Sequence, residues 1–561
     1  MKKAILTLLL MIAAMTSATA YDFEVDGIYY NINSTKATVT YKSIGYYSGE
    51  ITIPETVTYH EVTYPVTCLG HLAFASCHEL TNVIIPNSVT QIESQVFQFS
   101  EKLQNIIIPD SVTRIGLLAF QGCKGLTSIN IPKKVSMQHY YPLFSGCANL
   151  TTITVDSDNP YFDSRDNCNA IIETATNTLL EGCKNTTIPG TVTSISDNAF
   201  ERCTGLTNII IPNSVTTIGS RAFYNCTGLK SINFPESVTS IGAEAFASCY
   251  ELADLTFPKS LKNISSGAFN YCLSLSNLTI PKTLTTMGTN PFGDCSGIES
   301  IMVEDGNPNY DSRDDCNAII ETATNTLISS CENTIIPITV TTIGEEAFLA
   351  YPLSSVTIPN TVTTIGKRAF MMSELSTVDF PNSVTTIDDG AFSYCTNLYY
   401  LKIGDFVTYI GDEAFVECEW VKNIVIPASV THVGQYAFVI RSLKSVICNA
   451  TTPPTSGYDY PFSYDNYEDA ILYVPEESIP AYQEDFYWGA FANIRASGDY
   501  TPGDTDGDGV LTISDVTMLI NYLATDNDGG IILDAADVNG DGVVNISDVT
   551  ALINLLIGNQ P

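Results

Sequence analysis

TNIIIPNSVTTIGSRAFYNCTGL (207–229) runs directly into KSINFPESVTSIGAEAFASCYEL (230–252), and QNIIIPDSVTRIGLLAFQGCKGL (104–126) carries the same frame upstream. The period is 23 residues. Prolines mark it at Pro86, Pro109 and Pro132, at Pro189, Pro212, Pro235, Pro258 and Pro281, and later at Pro337, Pro359, Pro381 and Pro427. Phe keeps phase with them in fourteen units, from Phe74 to Phe438. Self-similarity at a fixed period of this length is the signature of a stacked array.

Each unit has a physical reading. Leu-x-x-Ile-x-Ile before the proline alternates at period two, which predicts a strand with one buried face. Proline ends it, because it cannot donate to a ladder. Val-Thr-x-Ile-Gly predicts a second short extended piece, and the Gly (Gly219, Gly242) a sharp bend. Ala-Phe-x-x-Cys then places Phe and Cys at i, i+3 on one side of a helical turn. No single unit can bury its Leu, Ile, Val and Phe alone, whereas stacked copies bury them continuously. The expected fold is a strand-rich α/β repeat solenoid over 51–445.

Sixteen cysteines invite a disulfide reading, but ten of them each lie three residues after a Phe, from Cys77 to Cys418. One frame position filled so often by a small, readily buried residue predicts a ladder of buried thiols. Two units are expanded alike. VDSDNPYFDSRDNCNAIIETATNTLLEGC (155–183) matches VEDGNPNYDSRDDCNAIIETATNTLISSC (303–331) at an offset of 148 residues. Alternating runs around Thr-Ala-Thr-Asn predict a hairpin projecting from the solenoid in each. Cys168 with Cys183 and Cys316 with Cys331 are the best disulfide candidates.

The chain of 561 residues has 25 Lys and Arg against 61 Asp and Glu, a formal net charge of −36. So acidic a surface repels phosphate backbones and anionic lipid and suits cations, which argues against a nucleic-acid partner. Lys2 and Lys3, the apolar run Ile5 to Met15 and Ala18-Thr19-Ala20 read as a secretory signal peptide over 1–20. That run is too short to span a bilayer, so the expectation is export, with no transmembrane segment in the mature chain. Residues 21–50 read as N-terminal cap strands. Residues 446–496 abandon the period, are rich in Tyr and Phe around Trp488, and fit a C-terminal cap, which a solenoid end needs.

Beyond 497 the composition changes. From Ala496 to Pro561 there are eleven Asp and no Lys or Arg. DTDGDGVLTISD (504–515) and DVNGDGVVNISD (537–548) align at an offset of 33 residues. Both satisfy Asp-x-Asp/Asn-x-Asp-Gly and close on an acid at position 12, the pattern of a calcium loop. A hard cation wants six to eight oxygens. Loop one offers Asp504, Asp506, Asp508, the Val510 carbonyl, Thr512 and Asp515. Loop two offers Asp537, Asn539, Asp541, the Val543 carbonyl, Asn545 and Asp548. Gly509 and Gly542 make the turn. The expectation is two calcium ions, bound with coupled folding because the carboxylates repel without them. Each loop leads into a helix whose stripe Ile513, Val516, Leu519, Ile520, Leu523 matches Ile546, Val549, Leu552, Ile553, Leu556.

The frame IP-x-SVT-x-IG-x-x-AF-x-x-C resembles the BspA-like leucine-rich repeats of bacterial surface proteins. That resemblance implies a leucine-rich repeat solenoid that contacts host matrix, a cell surface or a polysaccharide. The tail 497–561 resembles a type I dockerin, the calcium module that plugs cargo into cohesin domains of cellulosome scaffolds. It implies calcium at the positions named, a cohesin partner, and recognition by loop positions 10 and 11, here Ile513-Ser514 and Ile546-Ser547. Clostridial dockerins often carry Ser/Thr at both positions, and the basic residues common on their first helix turn are absent here.

No His-Glu-x-x-His pair and no Gly-x-Ser-x-Gly elbow is present, so the expectation is not an enzyme. The outward strand face is mostly small and polar. Tyr399, Tyr400 and Lys402 depart from that and suggest an exposed aromatic pair with a cation for a sugar or peptide. The expected function is a secreted, non-catalytic binding protein attached through its tail. The alternative is a structural surface or matrix protein whose tail docks internally or dimerises.

Overall fold

The computed structural model describes residues 21–42, 45–136, 142–525, 531–539 and 543–558. The expected signal peptide lies outside them, as does Asp541. Residues up to 275 with 283–291 form one compact unit, and 276–282 with 292 onward form another. Among the described residues, no helix is long and apolar enough to cross a membrane.

In the first unit the strands Phe23–Val25, Ile28–Asn33 and Lys36–Thr40 pair antiparallel, and the third joins Val62–Leu69 in parallel. From there the chain coils. Ser194–Ile195, Thr217–Ile218, Ser240–Ile241, Asn263–Ile264 and Thr286–Met287 stack in parallel register, so that Ile195, Ile218, Ile241 and Ile264 form one buried column. The polar partner at each step faces outward, which is the period-two pattern of the sequence.

The Phe residues stack from coil to coil. Phe200, Phe223, Phe246 and Phe269 stack with centroids 4.9, 5.0 and 5.2 Å apart. The Phe-x-x-Cys segment does place both side chains inward, through a bond from the Cys249 N–H to the Phe246 carbonyl at 3.2 Å. It is a run of tight turns, however, not the expected helical turn. Arg221 and Asn225, two residues either side of Phe223, have φ of 55° and 57°, and Glu244 and Ser248 repeat this around Phe246 at 52° and 62°. A non-glycine residue held there is strained. The compensation is a ladder between coils, with the N–H groups of Arg221, Phe223 and Asn225 donating to the carbonyls of Ala243, Ala245 and Ala247 at 2.7–2.8 Å.

The glycine of the frame answers to close approach of neighbouring coils. A Cβ at Gly242 would lie 2.5 Å from both the Gly219 carbonyl carbon and the Ser220 nitrogen. The thiols behave as the frame implied. Cys226, Cys249 and Cys272 donate to the carbonyls of Phe200, Phe223 and Phe246, the Phe of the preceding coil, at 3.1, 3.2 and 3.3 Å.

All sixteen cysteines are free and buried, so neither expected disulfide is present. Cys168 instead donates to Ala170 O, and Cys183 to Asn169 O at 3.4 Å. The expanded units also differ from the expectation of projecting hairpins. Ala170–Glu173 pairs antiparallel with Thr178–Gly182, and the latter continues the coil ladder in parallel, Thr178 opposite Ser194 and Leu179 opposite Ile195. Ile171, Ile172 and Leu179 are buried, so the hairpin is held in the sheet by its own apolar residues. Ala318, Ile319, Ile320 and Leu327 repeat this in the second unit, where the sheet runs on to Thr455–Ser456.

The segment after 446 adds strands Ile471–Val474 and Asn493–Ala496 and two short helices, α1 (Tyr464–Asp469) and α2 (Ile479–Glu484). Ser463 caps α1, accepting the Asn466 N–H at 3.1 Å while Asn466 Oδ1 accepts the Ser463 N–H at 3.2 Å. Phe462 continues the Phe column beyond Phe438 at 5.6 Å, and buried Trp488 donates to Pro454 O at 2.9 Å.

Candidate metal centre and docking faces

The tail holds α3 (Ile513–Thr525), the single turn α4 (Leu533–Ala536) and α5 (Ile546–Gly558). Val516, Leu519, Ile531, Ala536, Val549 and Leu552 form its core. The two helices use only part of the expected stripe. Ile513 and Ile546 are 73% and 71% exposed, and Ile520 and Ile553 also face outward. Each helix therefore carries an uncovered apolar face beside its loop.

In loop one, Asp504, Asp506 and Asp508 each offer a carboxylate oxygen within 4.8 Å of the others. Asp504 and Asp506 are buried. Asp504 Oδ1 has no hydrogen-bond partner, while its Oδ2 accepts the Gly509 N–H at 3.0 Å. Burial, with the neighbouring charges of Asp515, Asp506 and Asp508 adding to it, pushes the Asp504 carboxyl up to about 6. Burial likewise raises Asp506. An orphaned, buried carboxylate oxygen among three acids fits a hard cation, and an all-oxygen donor set suits calcium rather than zinc.

Asp515 braces the loop. Its Oδ1 accepts the Asp506 N–H at 3.2 Å and its Oδ2 the Thr512 N–H at 2.8 Å. Thr512 Oγ1 accepts the Ser514 N–H at 3.1 Å, and the Val510 side chain points out. Loop two repeats the brace, with Asp548 accepting the N–H groups of Asn539 at 3.1 Å and Asn545 at 2.9 Å. There Asn545 donates to the Val543 carbonyl at 2.9 Å, and Asp537 is half-buried. Asp504, Asp506 and Asp508 are drawn together in loop one, and in loop two Asp548 joins Asn539 and Asn545, Asp541 lying outside the described residues.

Loop one faces the strands at the end of the solenoid. A Cβ at Gly507 would meet Ser445 Oγ at 2.8 Å, and one at Gly509 would touch Ile471. Ile532 and Ala535 pack with Ile447, Ile471 and Tyr473, and Tyr500 lies against Tyr473 at 4.7 Å between ring centroids. Burial first, and then the charge of Asp504, raises the Tyr473 hydroxyl.

The solenoid residues singled out by sequence meet this same tail. Tyr399, Tyr400, Trp420 and Lys422 line a cleft of about 450 Å³ whose other wall is Ser514, Met518 and Asn521. A second cleft places Lys402 with Tyr500 and Ile532. The expected exposed aromatic pair is corrected in part. Tyr399 is 60% exposed but Tyr400 only 5%. Trp420, 63% exposed, was missed, although it is one of two tryptophans in the chain. Ile546 and Ser547 are not among the residues lining these clefts.

Known proteins supply the family. The BspA type leucine rich repeat region matches in six copies over 49–171, 177–299 and 322–444, more than half of the chain. The dockerin type I domain matches 502–557. Among solved structures, a leucine rich cell surface protein from Faecalibacterium prausnitzii is 24% identical, covering 85% of this chain and 95% of its own, with a TM-score of 0.39. The pneumococcal vaccine antigen PcpA is 19% identical, covering 85% and 98%, with a TM-score of 0.42. A leucine-rich repeat protein from Bacteroides ovatus is 21% identical, covering 73% and 95%, with a TM-score of 0.31. No curated protein matches the chain. Neither matched module is catalytic, and the chain belongs to the BspA type leucine rich repeat proteins, ending in a type I dockerin domain.

Proposed function

We propose that this is a secreted, extracellular or surface-held bacterial binding protein. Its repeats contact a polymer or cell-surface ligand, and its dockerin attaches it, in a calcium-dependent way, to a cohesin-bearing scaffold, within a polysaccharide-degrading complex. The observation that carries the attachment is the exposed Ile513 and Ile546 pair, one beside each calcium loop, on helices of near-identical sequence. Uncovered apolar patches rimmed by polar residues mark protein-binding faces. Asp504, Asp506, Asp508, Asp515, the Val510 carbonyl and Thr512 would hold one ion. Asp537, Asn539, Asp541, Asp548, the Val543 carbonyl and Asn545 would hold the other. Calcium there supplies charge neutralisation that fixes the helices in place.

The test is binding of the full chain to immobilised type I cohesin domains with calcium and with a chelator. Saturable binding that the chelator abolishes supports the reading, and no binding in calcium overturns it.

A second reading rests on the packing of Ile532 and Ala535 against Ile447, Ile471 and Tyr473. On it the tail is an internal clasp of a structural surface protein, with Tyr399, Tyr400 and Lys402 serving the clasp in place of an outside ligand. Cohesin binding that leaves the tail clasped favours the first reading, and a clasped tail with no cohesin affinity favours the second.

A further inference from the structure

Loop one is hydrogen-bonded to the turn that seats the tail on the solenoid. The Gly503 N–H donates to the Ala535 carbonyl at 2.8 Å, and the Ile532 N–H donates to the Thr505 carbonyl at 2.9 Å. These two bonds pin α4 and the residue before it to the backbone on either side of Asp504. Across the loop, the Thr505 hydroxyl donates to the Asp515 carbonyl at 2.9 Å. Ile532 and Ala535 are 3% and 1% exposed and pack with Ile447, Ile471 and Tyr473. The side chains that grip the solenoid are thus positioned by the same backbone that carries the candidate ion ligands.

The loop also meets the solenoid itself. Gly507 has φ of 66°, and a Cβ there would lie 2.6 Å from Ile532 Cδ1 as well as against Ser445. Gly509 approaches Ile471, which belongs to a strand buried along its whole length, Ile471–Val474. Several carboxylates are therefore packed beside an apolar wall. Asp504, Asp506 and Asp515 are 1%, 1% and 0% exposed, and Asp504 Oδ1 has no hydrogen-bond partner. The tail has no Lys or Arg to neutralise them. Buried charges without compensation are costly. A cation held by the loop removes that cost, whereas an empty loop relieves it by opening into water. Because Thr505 and Gly503 are tied to Ile532 and Ala535, an opening loop withdraws the seat with it.

We propose that loop one is a calcium-dependent latch between the dockerin and its own solenoid. With calcium in the loop, Ile532 and Ala535 stay buried against Ile447, Ile471 and Tyr473, and the tail holds a fixed place on the solenoid. Where calcium is scarce, the tail lifts away and uncovers those strands, while the coils keep their fold. The latch rests on the calcium reading of loop one, and it is indifferent to whether a cohesin binds.

The experiment is hydroxyl-radical footprinting of the full chain, which reads side-chain exposure residue by residue. It is run in calcium and in a chelator, with the bound ions counted in parallel by native mass spectrometry. Variants are Asp504→Ala, which removes a ligand, and Ile532→Asp, which opens the seat directly and shows the signal of a released tail. Chelation should raise the modification of Tyr473 and Ile471 about tenfold. Trp488, 1% exposed in the cap, should stay protected, which shows that the solenoid end is intact. Asp504→Ala should give the raised values even in calcium. Tyr473 and Ile471 equally protected with the ions bound and with them removed overturns the latch and leaves the calcium reading standing. Equal modification of both residues in every condition also overturns it, since no seat then forms. A wild-type chain that binds no calcium overturns the latch and the calcium reading together. If Asp504→Ala loses the protection of Trp488, the wild-type chain with and without chelator decides between the same outcomes.

Discussion

Phe223 lies flat on Phe246, ring centroids 5.0 Å apart and planes 7° from parallel. Each ring fills the space between two coils, and neither has another way to leave water. Phe246→Ala should therefore destabilise the solenoid by about 3–5 kcal/mol. Hydrogen exchange of the full chain checks it. Loss of protection should centre on the coils at 217–264, because each coil leans only on its neighbours.

The cysteine ladder leads to a second expectation. Burial raises the Cys123, Cys249 and Cys395 thiols, the last to about 11, and each donates to a carbonyl of the preceding coil. Thiolates react and buried thiols do not. A thiol reagent should label almost none of the sixteen cysteines in the native chain. It should label all sixteen after denaturation without reductant, and a shortfall would reveal disulfides.

Glu181 is the buried acid of the first inserted hairpin. Burial, aided by the charge of Glu201, pushes it up to about 8 from 4.5, against the opposing N–H groups of Leu143 and Phe144. In the folded state it stays protonated where the unfolded chain has already released the proton. Its contribution to stability is thus intact below pH 4.5 and is lost as pH rises toward 8. The loss is at most about 5 kcal/mol. Glu181→Gln should flatten the pH dependence of denaturant unfolding between those limits, and an unaltered slope would count against this assignment.

Ile532 is buried among Ile447, Ile471 and Tyr473. A carboxylate there would be desolvated without a partner, which a protein avoids by separating the surfaces. Ile532→Asp should release the tail from the end of the solenoid. Limited proteolysis after residue 497 should accelerate roughly tenfold while the melting of the solenoid is unchanged. Equal cleavage of both proteins would mean that the contact contributes nothing.

How far the sequence carries depends on which residues repeat. The 23-residue frame of Pro, Phe and Cys specified the coil, its two strand pieces and the buried thiols, since every copy reports the same environment. The turns around Phe were misread as helical, because Arg221 and Glu244 at positive φ look like ordinary surface residues. The tail's seat on the solenoid was legible only faintly. Where other coils alternate Ser-Ile-Asn, Ile471-Leu472-Tyr473-Val474 is apolar throughout and buried throughout, the mark of a strand covered on both faces. The Asp-rich loops were plain from spacing alone, whereas the cover over loop one depends on Ser445 and Ile471, residues about 60 and 40 positions away in the chain.

The central claim is that this tail is a two-ion calcium module, and native mass spectrometry of the full chain tests it most directly. The account predicts two calcium ions per chain, and one in the Asp504→Ala variant, because Asp504 is the buried acid with an unpaired oxygen in loop one. A wild-type chain that holds no calcium under conditions saturating for such loops would contradict it.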